Sequence, residues 1–575
     1  MSLSKLLFEK YGPEPLSRSF RAPFKSIIEK RIINASAEIR KDSDWTKHLG
    51  SKEKRQSWAE MSAEKFNTTP GDMDYIFNEL EYYKVLQENT PQNMVLGGAD
   101  MVWCKDIPAD DSLILEIKQY AVVLEAAYPK KHVVREGNRS VLRLIDPLLY
   151  PLDYELTRVL PSPIESPEQA LNVETFGDRP GSFKAWTDIV AGLNQEIGTY
   201  NKSLYSQYNS DSSMFSFCWL PTDIRVDMDG SVAIKSYINN LHPTKHAAFY
   251  KTISKALEAI IPLAEQVLTD LIHPTGLRVI VDNDLCVKFT APHPENDTWG
   301  VSDLGDNEAW NAWEQGIVYT EPVPKGFTKP DRPLPLPSTY SLRGEELQVV
   351  VEMDTTYLTP ESPKKGPERL PPEWQNSGVL TDKIVATAIW YYDVENAEIS
   401  DIQFRDPVGS HEEHDMMISD ILEKKVFEYA YGVDEDYDVL YYYSQPVGTT
   451  GIKSGRIVCF PNSYQRLEQS VELADPSRCG HVRKLYFHFV YPGVRIPSTS
   501  IVAPQRQEWW AESAFSVPPL NSLPAELQVM IQQRVDMPMS LEEAYRKYAD
   551  RDDYRHRVNG ESEIYDTFVH FGDMD

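Results

Sequence analysis

Two carboxylates and two phenols crowd into six residues at Tyr391-Tyr392-Asp393-Val394-Glu395-Asn396, where a β-forming run gives way to turn-forming residues. Carboxylates one residue apart could grip a guanidinium through parallel hydrogen bonds or take a proton from an ammonium group. The same string also suits a plain turn in which Asn and Asp side chains cap backbone groups. Arg405, at the end of the next predicted strand, stands where it could answer these carboxylates as an ion pair. Further on, His481-Val482-Arg483-Lys484 sets a titratable ring beside two cations. Those cations could hold a carboxylate or a phosphodiester, or simply neutralise Glu472 and Asp475.

Other clusters point more weakly to chemistry. His411-Glu412-Glu413-His414-Asp415 is the densest set of potential metal ligands, but it lacks the His-Glu-x-x-His order of a zinc protease and precedes a helix start, where acidic residues suit the dipole. Gly448-Thr449-Thr450-Gly451-Ile452-Lys453-Ser454-Gly455 hints at a phosphate loop. It has no adjacent Gly-Lys-Ser/Thr and is flanked by strands, so the expectation is a glycine hairpin. Asp227-Met228-Asp229-Gly230 lacks the later ligands of a calcium loop and reads as a turn. With no nucleophile elbow and no dinucleotide fingerprint, the residues give no support to ATP-driven activation or nicotinamide chemistry.

Strands must position these side chains. They are predicted at 383–392, 400–405, 438–444, 456–460 and 484–491, with a helix at 416–431. Upstream, Asp-Ser before an apolar 3.6 rhythm predicts a helix over 110–128. An Asp-Gly turn between alternating runs predicts a hairpin within 216–238. A helix from 243 to 272 should kink or split at Pro262, and Leu277–Ile280 with Leu285–Phe289 read as a strand pair. The first 90 residues read as surface helices, and helices close the chain from near Ser522 and Ser540. Pro-rich stretches at 325–340 and 359–373 are loops, and the second could act as a lid because it leads straight into Trp374–Gly378.

The 575 residues are 41% hydrophobic and 11% aromatic, which excludes a disordered chain. A net charge of −29 disfavours wholesale binding to nucleic acid or anionic membrane. Residues 1–55 reverse the balance, with thirteen Lys/Arg against seven Asp/Glu, so a footprint for a polyanion is expected there. Cys104, Cys218, Cys286, Cys459 and Cys479 form no regular spacing and read as reduced thiols, with Cys459 in a core strand. No apolar run reaches the ~18 residues of a membrane span, and the opening residues lack a leader pattern. A cytoplasmic protein is expected.

Several segments together resemble a large fungal family of unknown function related to the iron/2-oxoglutarate oxygenases. They are Gly98–Trp103, Asp146–Leu152, Trp219–Asp223, Ile234–Pro243, Trp374–Gly378 with the run from Leu380 to Asn396, and Glu472–Thr499, which lie within most of residues 70 to 505. In that family Trp374–Gly378 usually reads Trp-His-x-Glu-Gly, and the His-x-Glu pair with a distal His is an iron ligand set. This chain has Gln375, Ser377 and Arg466 at the three ligand positions. The resemblance therefore implies a pocket that has lost iron and been put to another use.

One branch of the family is similar to the arginine-containing cyclodipeptide synthases, and the chain is placed with that branch. The resemblance implies tRNA-dependent synthesis of an arginine-containing cyclic dipeptide in fungal secondary metabolism. The substrates would be arginyl-tRNA and a second aminoacyl-tRNA, engaged through the basic N-terminal region, with no cofactor and no metal. Tyr392, Asp393, Glu395 and His481 are the expected catalytic residues; Trp374, Ser377, Tyr391, Arg405 and Arg483 are expected to bind substrate. Ser377 could carry an aminoacyl ester, although the sequence shows no base beside it. The implied fold is α+β, with a double-stranded β-helix (jelly-roll-like) core between a large helical N-terminal part and C-terminal helices. The expected divisions are a basic helical region 1–90, a mixed region 91–290, a Pro-rich connector 291–382, the β core 383–505 and a helical tail 506–575. Two rivals stand beside this reading: an iron/2-oxoglutarate oxygenase with atypical ligands drawn from His411, His414 or His488, and a non-catalytic small-molecule-binding descendant.

Overall fold

A computed structural model of the chain describes residues 23–42, 44–90, 94–172, 177–193, 216–282, 286–290, 315–329, 341–360, 373–407, 427–432, 444–469, 471–535 and 538–552. The 411–415 cluster and most of the helix expected at 416–431 lie outside the described residues; of that helix, Phe427–Tyr431 forms a π-helical turn.

The N-terminal helices are α1 (Ile27–Ile39), α2 (Lys52–Phe66) and α3 (Pro70–Glu88). The Ser26 side chain accepts from the Glu29 amide to start α1, and a reciprocal Thr69/Asp72 capping box starts α3. The expectation of surface helices fails for α1. Ile28, Ile32, Ala35 and Ile39 recur at helical spacing, and all are buried.

Strands β1 (Met94–Leu96) and β2 (Trp103–Asp106) precede α4 (Ser112–Ala127), whose N-cap Asp111 accepts from the Leu113 amide. Then come β3 (Val134–Glu136), β4 (Arg139–Ile145) and the expected hairpin, β5 (Thr222–Val226) with β6 (Val232–Ile234). Its turn places Gly230 at φ +94°, a conformation that favours glycine. Helix α5 (Ala247–Ile272) runs unbroken through Pro262. Every residue from Leu263 to Ile272 is buried, so packing outweighs the backbone bond that Pro262 cannot make.

The remaining strands are β7 (Glu346–Leu358), β8 (Ile384–Glu395), β9 (Ile402–Pro407), β10 (Ser444–Thr450), β11 (Arg456–Pro461), β12 (Gln465–Leu467) and β13 (Gly480–Val490). Helices α6 (Gln507–Phe515), α7 (Ala525–Arg534) and α8 (Leu541–Arg546) follow, the last capped by Ser540. A ten-stranded sheet runs β1-β2-β11-β8-β13-β7-β4-β3, with β5 joined to β7 and β6 to β5. A smaller sheet runs β10-β9-β12. All these pairings are antiparallel.

The large sheet has two different faces. One packs Trp390, Leu485 and Phe487 with residues of α4 and α5. The other packs Ile389, Tyr391, Phe460 and Tyr486 with Ile402, Phe404 and Val447 of the small sheet. Cys459 is buried in β11 opposite Ala388, as expected.

Two local readings are corrected. The glycine-rich segment is no hairpin: β10 pairs with β9 while β11 pairs with β8 and β2, so the segment crosses from one sheet to the other. Leu277–Ile280 is not a strand, and Val287–Phe289 pairs instead with Ile317–Tyr319. In both cases a distant segment supplied the strand partner that the local pattern had assigned to a neighbour.

Candidate active site

The central pair β8 and β13 carries six of the nine expected site residues, Tyr391, Tyr392, Asp393, Glu395, His481 and Arg483. Thr387 lies opposite His488, Tyr391 opposite Lys484, Asp393 opposite Arg483 and Glu395 opposite His481. A bulge between Tyr391 and Asp393 inserts one residue, so the alternation of faces breaks there. The expected site consequently divides between the two faces.

On the helix face, Asp393 is surrounded by the chain's own cations. One oxygen lies 2.7 Å from Lys118 Nζ, and the other accepts from Arg483 Nη1 and faces His481 Nε2, both at 2.8 Å. Arg483 also grips Glu125 through two bonds of 2.9 Å, and Glu125 accepts from Thr355 and Tyr357, both at 2.7 Å. Burial pushes the Asp393 carboxyl up, but His481, Lys118 and Arg483 hold it far below the usual carboxylate range. Such a group is a permanent anion and a poor base. Lys118 and Glu125 are seven residues apart on α4, on the side of the buried Ile114, Ile117 and Ala121. The network thus fastens α4 to the sheet.

Four expectations change as a result. Asp393 cannot offer its oxygens to a substrate guanidinium while Arg483 and Lys118 hold them. Glu395 is exposed at the strand end and stands apart from these contacts. Arg405 does not answer Asp393; it donates to Gln465 Oε1 at 2.6 Å and lies 4.6 Å from the ring centre of Trp374. Tyr392 is buried among the apolar residues of the helix face, its hydroxyl without a partner.

On the other face the three positions marked by the resemblance do converge. Gln375 and Arg466 exchange backbone hydrogen bonds of 3.0 Å, and Arg466 Nη1 donates to Ser377 Oγ at 2.9 Å. Asn462 clamps the Ser377 backbone, accepting from its amide and donating to its carbonyl, each at 2.9 Å. Gly378 turns the chain at φ +70°, with Asp382 so close that a Cβ would meet its Oδ2 at 2.6 Å.

From Ser377 a line of polar groups runs inward. Thr387 Oγ1 donates to Ser377 Oγ at 2.9 Å and lies 3.1 Å from His488 Nδ1, whose Nε2 is 3.3 Å from Glu352 Oε2. Hydroxyl protons rotate, so the line can also run from Ser377 to Thr387 to His488, with His488 oriented by Glu352. That is the logic of nucleophile, base and orienting carboxylate with one hydroxyl interposed. The sequence concealed this base because His488 lies 111 positions from Ser377 and reaches it only through strand pairing.

Beside this line sits a second charged set. Glu468 accepts from Tyr391 at 2.9 Å, Lys484 at 3.2 Å and Arg466 at 3.3 Å. Although burial pushes its carboxyl up, Lys484 and Arg466 hold it at about 2. Asp354 accepts from the Tyr486 hydroxyl at 3.0 Å and lies 3.6 Å from Lys484 Nζ. Burial, reinforced by Glu352 and Glu468 and opposed by Lys484, pushes Asp354 up to about 6. Sequence reasoning missed Thr387, Glu352, Asp354 and Glu468. The acidic pair carried a signal, since Glu352 and Asp354 share one face of the otherwise apolar Val349–Asp354 run.

An amide, a hydroxyl and a guanidinium do not fit an iron ion. Arg466 is itself a cation with donors only, and the converged positions offer neither the imidazoles nor the carboxylate of that ligand set. Among the described residues no group of three His, Cys, Asp or Glu is arranged to hold a metal.

The sequence matches the family described as protein of unknown function, DUF4246, over residues 70–513. The chain belongs to the DUF4246 family. No curated protein matches this DUF4246 chain. Among solved structures, a bsmA homolog from Methylobium petroleophilum PM1 is similar at 13% identity and a TM-score of 0.16, covering 27% of this chain. The DUF4246 chain spans 45% of that protein's length. The selenomethionine-labelled Fe(II)/α-ketoglutarate-dependent dioxygenase TqaL is similar at 10% identity and a TM-score of 0.21, covering 69% of this chain and 95% of the dioxygenase. Likenesses at these scores carry no argument about the fold or reaction of the DUF4246 chain. No helix among the described residues is long and apolar enough to cross a membrane.

Proposed function

We propose that the chain is a metal-independent acyl-transfer enzyme that joins arginine to a second amino acid as a cyclic dipeptide, using aminoacyl-tRNAs as donors. The carrying observation is Arg466: its guanidinium lies 2.9 Å from Ser377 Oγ at the position where the resembling family supplies a metal-binding imidazole. The substrates come from the sequence resemblance; the geometry contributes the acid–base groups such a reaction needs.

An ester on tRNA is already activated, so no nucleotide is consumed. Ser377 Oγ attacks the ester carbonyl, forming a new ester and breaking the bond to the ribose oxygen. The Ser377 proton passes through Thr387 toward His488 and on to the departing ribose oxygen, while Arg466 donates to the developing oxyanion. Asp354, pushed up to about 6, can take a proton from the α-ammonium group of the second aminoacyl-tRNA near neutral pH. The freed amine attacks the Ser377 ester, forming the first amide and releasing Ser377 Oγ. The first residue's amine then attacks the second ester, closing the ring and releasing the second tRNA. Glu352 and Asp354 replace Asp393 and Glu395 as the carboxylates that would select a cationic side chain. Ser377 is only 3% exposed, so this chemistry requires the wall at Trp374–Ser377 to open.

A second reading is an oxygenase with unusual ligands. It is favoured by the buried His488–Glu352 pair, an imidazole and a carboxylate on neighbouring strands.

Mass spectrometry of host extracts, followed by assays of purified protein with and without ribonuclease and by metal analysis, separates the readings. A new arginine-containing cyclic dipeptide that is abolished by ribonuclease, made by protein lacking stoichiometric iron, is the expected result. No dipeptide, together with bound iron and 2-oxoglutarate-dependent oxygen uptake, would establish the oxygenase. Neither activity in folded protein would leave a ligand-binding descendant.

A further inference from the structure

The Asp146–Leu152 string takes no part in the site above. Two of its residues, Tyr150 and Pro151, instead line a cavity of about 210 Å³, together with Val502–Gln505 and residues on and around α8. The protein carries a net charge of −29, yet Arg158, Arg179, Lys547 and Arg551 line this cavity against the carboxylates of Asp153 and Glu543. The excess of cations is brought together from three separate segments, around Arg158, around Arg179 and at Lys547 and Arg551.

Arg551 is the informative member. It is 2% exposed, and its Nη1 donates to the carbonyls of Leu148 at 3.4 Å and Leu149 at 2.8 Å. Its Nε has no partner, and neither does the hydroxyl of Tyr150, itself 2% exposed and on the same wall. Asp153 acts on Arg551 only through space: no ion pair joins the two, and Oδ1 of its carboxylate caps the Glu155 and Leu156 amides. A guanidinium buried on neutral carbonyls, beside an orphaned hydroxyl, is incompletely compensated. Leu156, Val502 and Met539 give the cavity an apolar side.

We infer that this cavity is a binding site for a small organic anion, a carboxylate or phosphate head on an apolar body. The head meets the cations from Arg158, Lys547 and Arg551, and the body lies on Leu156 and Met539. The volume is below the ~300 Å³ of drug-sized sites, which restricts the ligand to a compact molecule.

Calorimetry and thermal unfolding of the full chain with benzoate, phenyl phosphate and neutral benzyl alcohol test the inference. Binding of at least one anion, weakened by salt, with no response to benzyl alcohol, is expected; which anion binds identifies the head group. Lys547→Ala and Arg158→Ala should each weaken binding by roughly tenfold. Arg551→Met should abolish binding, and the two rim variants keep the test valid where that variant fails to fold. No binding of either anion, equal binding of benzyl alcohol, or affinity unchanged in both rim variants would overturn the site.

Discussion

Asp354 and Asp393 are both buried aspartates in the central sheet, and their surroundings drive them in opposite directions. Asp354 is raised from 3.8 to about 6 by burial and by Glu352 and Glu468. The fold therefore binds its proton more tightly than the unfolded chain does. Its contribution to stability is fullest below pH 3.8 and is lost as pH rises to about 6. Asp354→Asn should flatten that part of the stability profile, read as a smaller change in urea midpoint between pH 4 and 7 than in the parent. If Asp354 is the base, product formation in the parent should also rise with an apparent pKa near 6, and the variant should lose that limb. Asp393 answers two cations, Lys118 and Arg483, and the His481 ring, so Asp393→Asn should cost about 3 kcal/mol in chemical denaturation. Exposed Glu395→Gln should change stability by less than about 0.5 kcal/mol. Loss of product in an otherwise stable Glu395→Gln protein would return Glu395 to the mechanism.

At the scale of elements, charge fixes where the helices dock. Arg278 donates to Glu79 at 2.7 Å, to Asp100 at 2.8 and 2.9 Å and to Tyr83 at 3.2 Å, and lies 3.6 Å from Glu29. It thereby ties α1, α3 and the turn between β1 and β2 to the segment after α5. Removing it leaves three buried carboxylates uncompensated, so Arg278→Leu should lose at least about 3 kcal/mol. Limited proteolysis should then cut first near α1–α3, and an unchanged cleavage pattern would show that apolar packing alone holds these helices. The sequence displayed α4 and the β5–β6 hairpin clearly, because each is specified by an N-cap or turn residue next to a periodic apolar run. It hid the burial of α1, because one helix in isolation does not show what will cover it.

At the scale of the whole molecule, a polyanion partner must contend with the net charge of −29. Much of the basic excess in residues 1–55 serves the fold. Arg31 pairs with Asp72 and Glu321, Arg40 donates to the Leu96 and Gly97 carbonyls, and Arg55 pairs with Glu81. Lys52 and Lys54, at the start of α2, are exposed. If tRNA binds there, the double variant Lys52→Glu and Lys54→Glu should raise KM for charged tRNA by roughly tenfold and leave kcat unchanged. An unchanged KM would move the tRNA surface elsewhere.

The sequence by itself determined the strands β8 and β13, the helix α4, the turn chemistry and the presence of Gln375, Ser377 and Arg466 at the three positions that the resemblance marks. These are local facts, fixed by periodicity, caps and residue identity. Only the tertiary structure decided that Ser377 meets His488 through Thr387, that Asp393 is held by Lys118 and Arg483, and that Tyr391 and Asp393 serve opposite faces. The reason is the strand geometry: a single bulge reverses the side on which a residue lies, and residues about a hundred positions apart become neighbours only when β8 and β13 pair.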